Sequence, residues 1–320
     1  MNESLLVNAF QFRKSSGALR ETEALRMFYG PGESTDPILS QIAIDVFFDQ
    51  AWITQWAPIP DSTLKELVRV IRENLPECSR GIVLMDRSKV ASEADAIPVD
   101  GEVRDGKFVV KEFGIPYLVQ MKQTKHPGLF LDHAPLRRWL IRTQENKRVL
   151  NLFSYTGALS VAAGAGGATQ VTTLDLSKPT IEWARENWEN AAWNGPKGDF
   201  IYGDVFDWLP RLKKKGLEYD TILCDPPSFS RTKTGAFSTG KDLARLHALI
   251  LPLLAKGGTL VTSINSENIS ERAFLGEIEA AARQTDTRLQ WLGRVDLPES
   301  FPTPLDSKMR YLKGFYLRSV

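Results

Sequence analysis

Short apolar segments alternate with longer amphipathic ones through the second half of this chain, and this rhythm restricts the fold more than any other feature. Strands that alternate with helices favour a doubly wound α/β fold with a parallel sheet, and two strands close together at the end predict an antiparallel edge. Ser177, as an N-cap before Pro179, marks one helix start. The predicted strands are residues 148–152, 170–174, 199–202, 219–225, 258–264, 289–295 and 311–317, and the predicted helices run from Thr156, from Ser177 towards Trp193, over 241–255 and over 270–284.

The first part of the chain has the pattern of a small α+β unit. Its one long helix is predicted to begin with a capping box made by Thr63 and Glu66. The acidic and polar segment 91–100 suits a loop at a boundary. We therefore expect a small α+β domain over residues 1–105, with a role in substrate recognition, and a second domain over residues 106–320. The predicted elements of the first part are strands 41–47, 51–56 and 81–86, a helix over 62–75, and a hairpin over 107–121.

Composition excludes several classes of protein. The chain is 42% hydrophobic and 25% charged, it has no apolar run that could span a bilayer, and it has no signal peptide, so we expect a cytoplasmic protein. The net charge of +1 does not indicate a nucleic-acid partner. Two cysteines, Cys78 and Cys224, cannot alone form a disulfide framework or a zinc site. No carboxylates accompany His126, His133 and His247 at the spacing of metal ligands, so no metal site is predicted.

In a doubly wound sheet, ligands bind at the carboxyl ends of the strands. The first strand ends in the small-residue sequence NLFSYTG, which lets the backbone approach a ligand. It is not the G-x-G-x-x-G fingerprint that a dinucleotide needs for its pyrophosphate, whereas S-adenosylmethionine (SAM) has no phosphate and tolerates a looser pattern. The candidate cofactor contacts in this segment are Asn151, Phe153, Ser154, Tyr155, Thr156 and Gly157.

Carboxylates follow the next two strands. Asp175, with Leu176 and Ser177 after it, lies about 20 residues on, where an acid accepts hydrogen bonds from both ribose hydroxyls; the alternative is a turn acid before a helix. After the third strand, Gly203, Asp204 and Val205 form a candidate adenine site. Asp204 would accept from the adenine amino group, although it could also cap the next helix.

The fourth strand ends in DPPSF, the most specific signal in the chain. Pro226 and Pro227 fix the backbone and have no N–H, so nearby carbonyls can face a substrate. Asp225 offers an acceptor to a base edge, and Phe229 offers a ring on which a flipped base can stack. These four residues are the candidate catalytic residues, and a rigid turn after a core strand is the alternative.

NLFSYTG, TTLDLS, YGDVF and DPPSF, in this order, resemble the class I methyltransferases that modify 23S ribosomal RNA. GLFLDHAPLRR (residues 128–138) resembles the segment before the SAM domain in the guanine-N7 unit of the bifunctional 23S enzyme, and cytosine-C5 relatives carry a similar segment. That resemblance implies a Rossmann-like SAM domain, a 23S RNA partner, and SAM-pocket roles for Phe130, Asp132, His133 and Arg138. PECS and MDRSKV resemble the central α+β domain of the cytosine-C5 group.

The cysteines bear on which atom is methylated. Methylation at C5 of a pyrimidine needs a thiolate that adds to C6 first, and the cytosine-C5 relatives carry a cysteine after the fifth strand. Residues 262–266 contain none, and strand alternation turns Cys224 away from the Asp225 face. A base nitrogen is therefore the expected acceptor. An exocyclic amine and guanine N7 both fit, and the resemblance favours N7.

Local basic clusters are the sequence evidence for RNA. Residues 230–239 hold Arg231, Lys233 and Phe237, and this segment could close over a base while contacting phosphates; solvated surface charge is the alternative. Three other functions stay open: a methyltransferase of a protein or small molecule, an NAD-dependent oxidoreductase, and a non-catalytic RNA-binding scaffold. The oligomeric state is not determined. A further basic cluster comprises Arg137, Arg138, Arg142, Lys147 and Arg148, with Lys241 near the first segment.

Overall fold

The computed structural model describes residues 1–88, 95–191, 197–231, 236–303 and 311–320. The chain divides into two compact units, Met1–Ala134 with Leu297–Met309, and Pro135–Asp296 with Arg310–Val320. The expected boundary near residue 105 therefore lies inside the first unit. The hairpin that follows it belongs to that unit because Glu23 N donates to Lys111 O at 2.7 Å and Phe113 N donates to Glu21 O at 2.6 Å.

The first unit is built on a five-stranded sheet of order β1-β2-β3-β4-β5, in which only β3 and β4 are parallel, and on a separate β6-β7 hairpin. Apolar side chains of α1 and α3 join those of the sheet in one buried cluster. The elements are α1 (Glu3–Ser15), β1 (Ala24–Tyr29), α2 (Gly30–Glu33), β2 (Ile42–Phe47), β3 (Gln50–Gln55), α3 (Asp61–Asn74), β4 (Gly81–Asp86), β5 (Ile97–Gly101), β6 (Lys107–Glu112) and β7 (Ile115–Gln120).

Two predictions for this unit were wrong, and one strand was not predicted. The capping box is not formed, because α3 begins after Pro60 without a side-chain cap and Thr63 is a buried residue of its first turn. Residues 97–100 of the predicted loop belong to β5, which pairs with β4; residues 89–94 lie outside the described part. The strand β1 was missed because its sequence, ALRMFY, is apolar at five of six positions and so lacks the alternation of a half-buried strand.

The second unit is a seven-stranded sheet of order β10-β9-β8-β11-β14-β16-β15. The first five strands are parallel, while β16 runs antiparallel to both β14 and β15, as the sequence predicted. The elements are α4 (Ala134–Thr143), β8 (Arg148–Leu152), α5 (Ala158–Ala165), β9 (Gln170–Asp175), α6 (Lys178–Asn190), β10 (Lys197–Tyr202), α7 (Val205–Lys214), β11 (Tyr219–Cys224), β12 (Phe229–Arg231), β13 (Ala236–Ser238), α8 (Leu243–Ile250), β14 (Leu254–Asn265), α9 (Glu271–Gln284), β15 (Leu289–Arg294) and β16 (Leu312–Ser319).

Two helix predictions in this unit need correction. The helix α8 is shorter than residues 241–255, because Leu251–Leu253 is a 3-10 turn that contains Pro252 and leads directly into β14. Ser177 occupies the N-cap position of α6, but its side chain makes no capping hydrogen bond. The helix ends at Asn190, and Trp193 lies outside the described residues.

The order of the strands positions the candidate site. Strands β9 and β10 lie on one side of β8, and β11 and β14 lie on the other, so the direction of winding reverses between β8 and β11. Loops after two such strands diverge and leave a crevice at the carboxyl edge of the sheet. The segments after β8 and β11 are NLFSYTG and DPPSF, so the fold brings both candidate motifs to this crevice.

Candidate functional site

The loop after β8 has an unusual backbone. Phe153, Tyr155 and Gly157 have φ angles of 54°, 49° and 74°, in the left-handed region that side chains other than glycine rarely adopt. Two hydrogen bonds to the end of the next strand hold this conformation. Ser154 N donates to Leu174 O at 3.1 Å, and Tyr155 N donates to Asp175 Oδ2 at 2.8 Å. Strain of this kind persists where the surrounding structure fixes it, and it concentrates at ligand sites.

The polar side chains of this loop differ in what they contact. Ser154 is buried, and its Oγ has no hydrogen-bond partner among the described residues. Asn151 points inward instead, where its Nδ2 donates to Ser160 Oγ at 2.9 Å. Thr156 is also buried, and its carbonyl accepts from Asn187 Nδ2 at 2.8 Å. The Asn151 side chain thus links β8 to α5, whereas Ser154 Oγ has no hydrogen-bond partner within the described residues.

Gly157 joins this loop to the helices. A Cβ at this position would lie 2.7 Å from Ala184 Cβ on α6, closer than two carbon atoms can approach. The positive φ and the contact with α6 therefore both require glycine here.

Asp175, at the end of β9, organises the loops around it. Its Oδ2 accepts from Tyr155 N, and its Oδ1 accepts from Ser177 N at 2.8 Å and from Thr180 Oγ1 at 3.0 Å. Burial raises the pKa of this carboxyl above its usual value, although the three hydrogen bonds oppose the shift. The neighbouring Leu176 is 36% exposed, so an apolar side chain faces solvent beside the carboxylate.

The segment after β10 is a helix start. Asp204 is the N-cap of α7, and its Oδ1 accepts from Phe206 N at 2.9 Å, so the capping alternative from the sequence is confirmed. Gly203 N donates to Asp175 O at 3.0 Å, and Val205 is buried. A side chain at Gly203 would collide with the Trp208 indole.

The DPPSF segment follows β11. Ser263 Oγ donates to Asp225 Oδ1 at 2.6 Å, and Ser228 Oγ donates to Asn265 O at 2.8 Å, so β14 fixes both ends of the turn. Pro226 is buried, Pro227 is exposed, and Phe229 is 53% exposed. Sequence reasoning missed Ser263. The register that places Cys224 opposite Thr262 brings the next pair, Asp225 and Ser263, side by side, and strand pairing alone could have indicated it.

Comparison with known proteins identifies the family. Residues 26–315 match the model of the S-adenosylmethionine-dependent methyltransferases. The chain belongs to this family. It is 31% identical to the protein YwbD of Bacillus subtilis (strain 168), over 99% of this chain and 78% of YwbD. It is 32% identical to ribosomal RNA large subunit methyltransferase I of Escherichia coli (strain K12), over 79% of this chain and 64% of that relative. It is 33% identical to ribosomal RNA large subunit methyltransferase K/L of Pseudoalteromonas translucida (strain TAC 125), over 70% of this chain and 32% of that relative.

Solved structures agree with the fold of this methyltransferase. The protein SMU.776, in complex with SAH, superposes with a TM-score of 0.88 at 29% identity, over 99% of this chain and 82% of that one. A SAM-dependent methyltransferase from Agrobacterium tumefaciens superposes with a TM-score of 0.67 at 22% identity, over 93% of this chain and 89% of that one, which supports the fold alone. The Rossmann-like methyltransferase sheet, the enzyme class and the SAM cofactor expected from the sequence are confirmed.

The hairpin after DPPSF differs from the loop predicted for this methyltransferase. Phe229–Arg231 pairs with Ala236–Ser238, and Phe237 is buried against Phe153 and Phe206, with ring centroids 6.0 and 5.7 Å apart. Phe237 was expected within a segment that could close over a base, but its ring is instead part of the core, with Phe153 and Phe206 packed against it. Lys233 lies outside the described residues, and Lys241 is exposed.

The residues of the segment 128–138 fall in different units. Phe130, Asp132 and His133 belong to the first unit, where Phe130 is 39% exposed and the other two are buried. The ring of Phe130 lies over that of His126, with centroids 4.1 Å apart. Arg138 is a half-buried residue of α4, in the second unit.

One member of the basic cluster over residues 137–148 is not at the surface. Arg137 is only 1% exposed, so it cannot offer its charge to solvent-exposed phosphates as the sequence suggested. Arg142 is exposed, and Arg148 lies 3.7 Å from Asp220.

Cys224 and His247 are core residues of the methyltransferase. Cys224 is 2% exposed, and burial raises the pKa of its thiol far above the usual value, so it carries no thiolate. His247 is fully buried, with Nδ1 2.7 Å from Leu243 O and Nε2 3.0 Å from Thr262 Oγ1, and burial lowers its pKa to about 4. The structural roles predicted for both residues are confirmed.

The described residues show neither a metal-binding cluster nor a membrane-spanning helix. No three His, Cys, Asp or Glu side chains in that part of the chain are grouped as metal ligands would be. No helix in it has both the length and the apolar character needed to cross a membrane.

Proposed function

We propose that this methyltransferase modifies a base nitrogen of large-subunit ribosomal RNA, with N7 of a guanine as the acceptor. The similarity of this chain to two ribosomal RNA large subunit methyltransferases supports an RNA substrate. The proposed role of the first unit is to recognise that RNA.

The choice of a nitrogen acceptor rests on the burial of both cysteines. The chain has two, Cys78 and Cys224, and both are buried. Burial raises the pKa of the Cys78 thiol to about 11 and that of Cys224 further still, so neither supplies the thiolate that C5 chemistry needs. Guanine N7 has an in-plane lone pair and no proton, so it can attack without a general base. The resemblance of residues 128–138 to the guanine-N7 unit favours N7 over an exocyclic amine.

The residues after β8, β9 and β10 fit SAM. Ser154 Oγ, which is buried and has no partner in the described part of the chain, offers a hydrogen bond to the polar methionyl end, and Asp175 accepts from the ribose hydroxyls. Leu176 and Val205 offer apolar contact to adenine. Asp204 Oδ1 caps helix α7, so we propose that Oδ2 accepts a hydrogen bond from the adenine amino group. The resemblance of residues 128–138 is the basis on which Phe130, Asp132, His133 and Arg138 are proposed as further SAM contacts.

The residues after β11 hold the acceptor. When bound, SAM supplies an electrophilic methyl group on a sulfonium. Asp225, fixed by Ser263, accepts from the base edge, while Phe229 stacks on the base and excludes water from one face. Pro226 and Pro227 keep this turn rigid. Catalysis here consists mainly of positioning, because N7 needs no activation.

Calorimetry and nucleoside mass spectrometry test the proposal. We expect micromolar SAM binding that is lost in Asp175→Ala, and lost turnover with retained SAM binding in Phe229→Ala. Ribosomal RNA from cells without the gene should lack one methylated guanosine. If stripped ribosomal RNA is not methylated while a protein or small-molecule pool is, the RNA assignment is wrong. A protein or small-molecule substrate is the main competing hypothesis, because the net charge of the chain is close to zero.

A further inference from the structure

A polar cavity lies directly beside the DPPSF turn. Its volume is about 470 Å³, and it is lined by Ser228, by residues 238–240 and by residues 265–269. Pockets that hold a small ligand have about 300–1,000 Å³, so a nucleobase fits in this space. Phe229, whose ring is exposed, directly follows Ser228 in the chain, so the proposed stacking residue and the cavity belong to the same turn.

The segment that carries the polar groups of this cavity is anchored on both sides. Ser228 Oγ donates to Asn265 O, and Ser266 N donates to Tyr311 O at 3.1 Å. The ammonium of Lys313 on β16 donates to Ser266 O. These bonds fix the backbone on which Glu267 and the following residue stand, so the carboxylate is presented from a rigid support.

Among the described residues that line this cavity, Glu267 is the only acid. An ionised carboxylate only accepts hydrogen bonds, so it pairs with a base edge that presents two adjacent donors. Guanine has such an edge in N1–H and the N2 amino group. Adenine and cytosine place an acceptor nitrogen beside their amino group and would face the carboxylate with a lone pair.

We propose that Glu267 selects guanine by accepting hydrogen bonds from N1–H and the N2 amino group of the acceptor base. This inference rests on the proposed function and deepens it. In guanine, N7 lies on a different edge from N1 and N2. A base held by Glu267 on its Watson–Crick edge and stacked on Phe229 therefore leaves N7 free for methyl transfer. The second hydrogen of its N2 amino group remains for Asp225.

The test combines one variant with one substrate analogue. Nucleoside mass spectrometry first maps the modified nucleotide, and short RNAs are then made with guanosine or inosine at that position, since inosine lacks only the N2 amino group. Wild-type kcat/KM should fall about tenfold or more with inosine, the size of one lost hydrogen bond to a charged group. Glu267→Gln should lose a similar factor on guanosine, and its preference for guanosine over inosine should be smaller than that of the wild type. SAM affinity should not change.

Glu279→Gln is the matched control, because Glu279 is an exposed acid on α9. It should behave as wild type with both RNAs. A Glu267→Gln enzyme that keeps the wild-type preference for guanosine would overturn the inference, and so would a mapped target other than guanosine. Methylation of no RNA at all, with SAM binding intact, would instead refute the proposed function.

Discussion

The hydrogen bond between Ser263 and Asp225 gives the sharpest prediction about catalysis. It is 2.6 Å long, its donor is 2% exposed, and its acceptor is a half-buried carboxylate. A hydrogen bond to a charged group contributes about 1.5–3 kcal/mol. Water can partly replace the hydroxyl at Asp225, so we take the lower end, about 1.5 kcal/mol, which corresponds to roughly a tenfold change in rate. Ser263→Ala should therefore lower kcat about tenfold, because Asp225 is no longer held towards the base.

Single-turnover methyl transfer with saturating SAM measures this effect, and calorimetry checks that SAM affinity is unchanged. Ser79→Ala is the control, since Ser79 is equally buried and its Oγ donates to Pro76 O at 3.3 Å in the other unit. Its loss should cost about 1 kcal/mol of folding free energy and no turnover. An unchanged kcat in Ser263→Ala, or a parallel fall in SAM affinity, would refute the positioning role.

Three further predictions concern the cofactor loop and the cysteine. Gly157→Ala should destabilise the protein by about 1–3 kcal/mol in urea unfolding and weaken SAM binding, because the positive φ and the contact with Ala184 both exclude a Cβ; wild-type values for both would contradict this reasoning. SAM affinity should be full above the raised pKa of Asp175 and should fall as the pH drops through that pKa, because the ribose hydroxyls favour the ionised carboxylate. Binding titrations at several pH values measure this, and an affinity that does not change with pH would show that Asp175 does not bind the ribose. Cys224→Ala should keep its turnover within about twofold, whereas a C5 mechanism through this thiol predicts complete loss.

Local patterns in the sequence predicted the sheet of the second unit well. The period of apolar residues located all seven strands, and the closely spaced last pair indicated the antiparallel edge. Prediction was weaker in the first unit. The segment of β1, ALRMFY, is apolar at five of six positions and so has no alternating pattern, and an apparent capping box lay inside a helix that begins at Asp61.

What the sequence determined by itself is the order of the elements and the chemistry placed after each strand. Asp175, Asp204 and the DPPSF turn stand at strand ends because strand length and helix starts are local properties. Tertiary structure alone decided which side chains meet. The pairing of β11 with β14 joins Asp225 to Ser263, 38 residues away. Packing also turned Phe237 into the core. Such contacts depend on strand register and on the shape of neighbouring elements, which no short segment encodes.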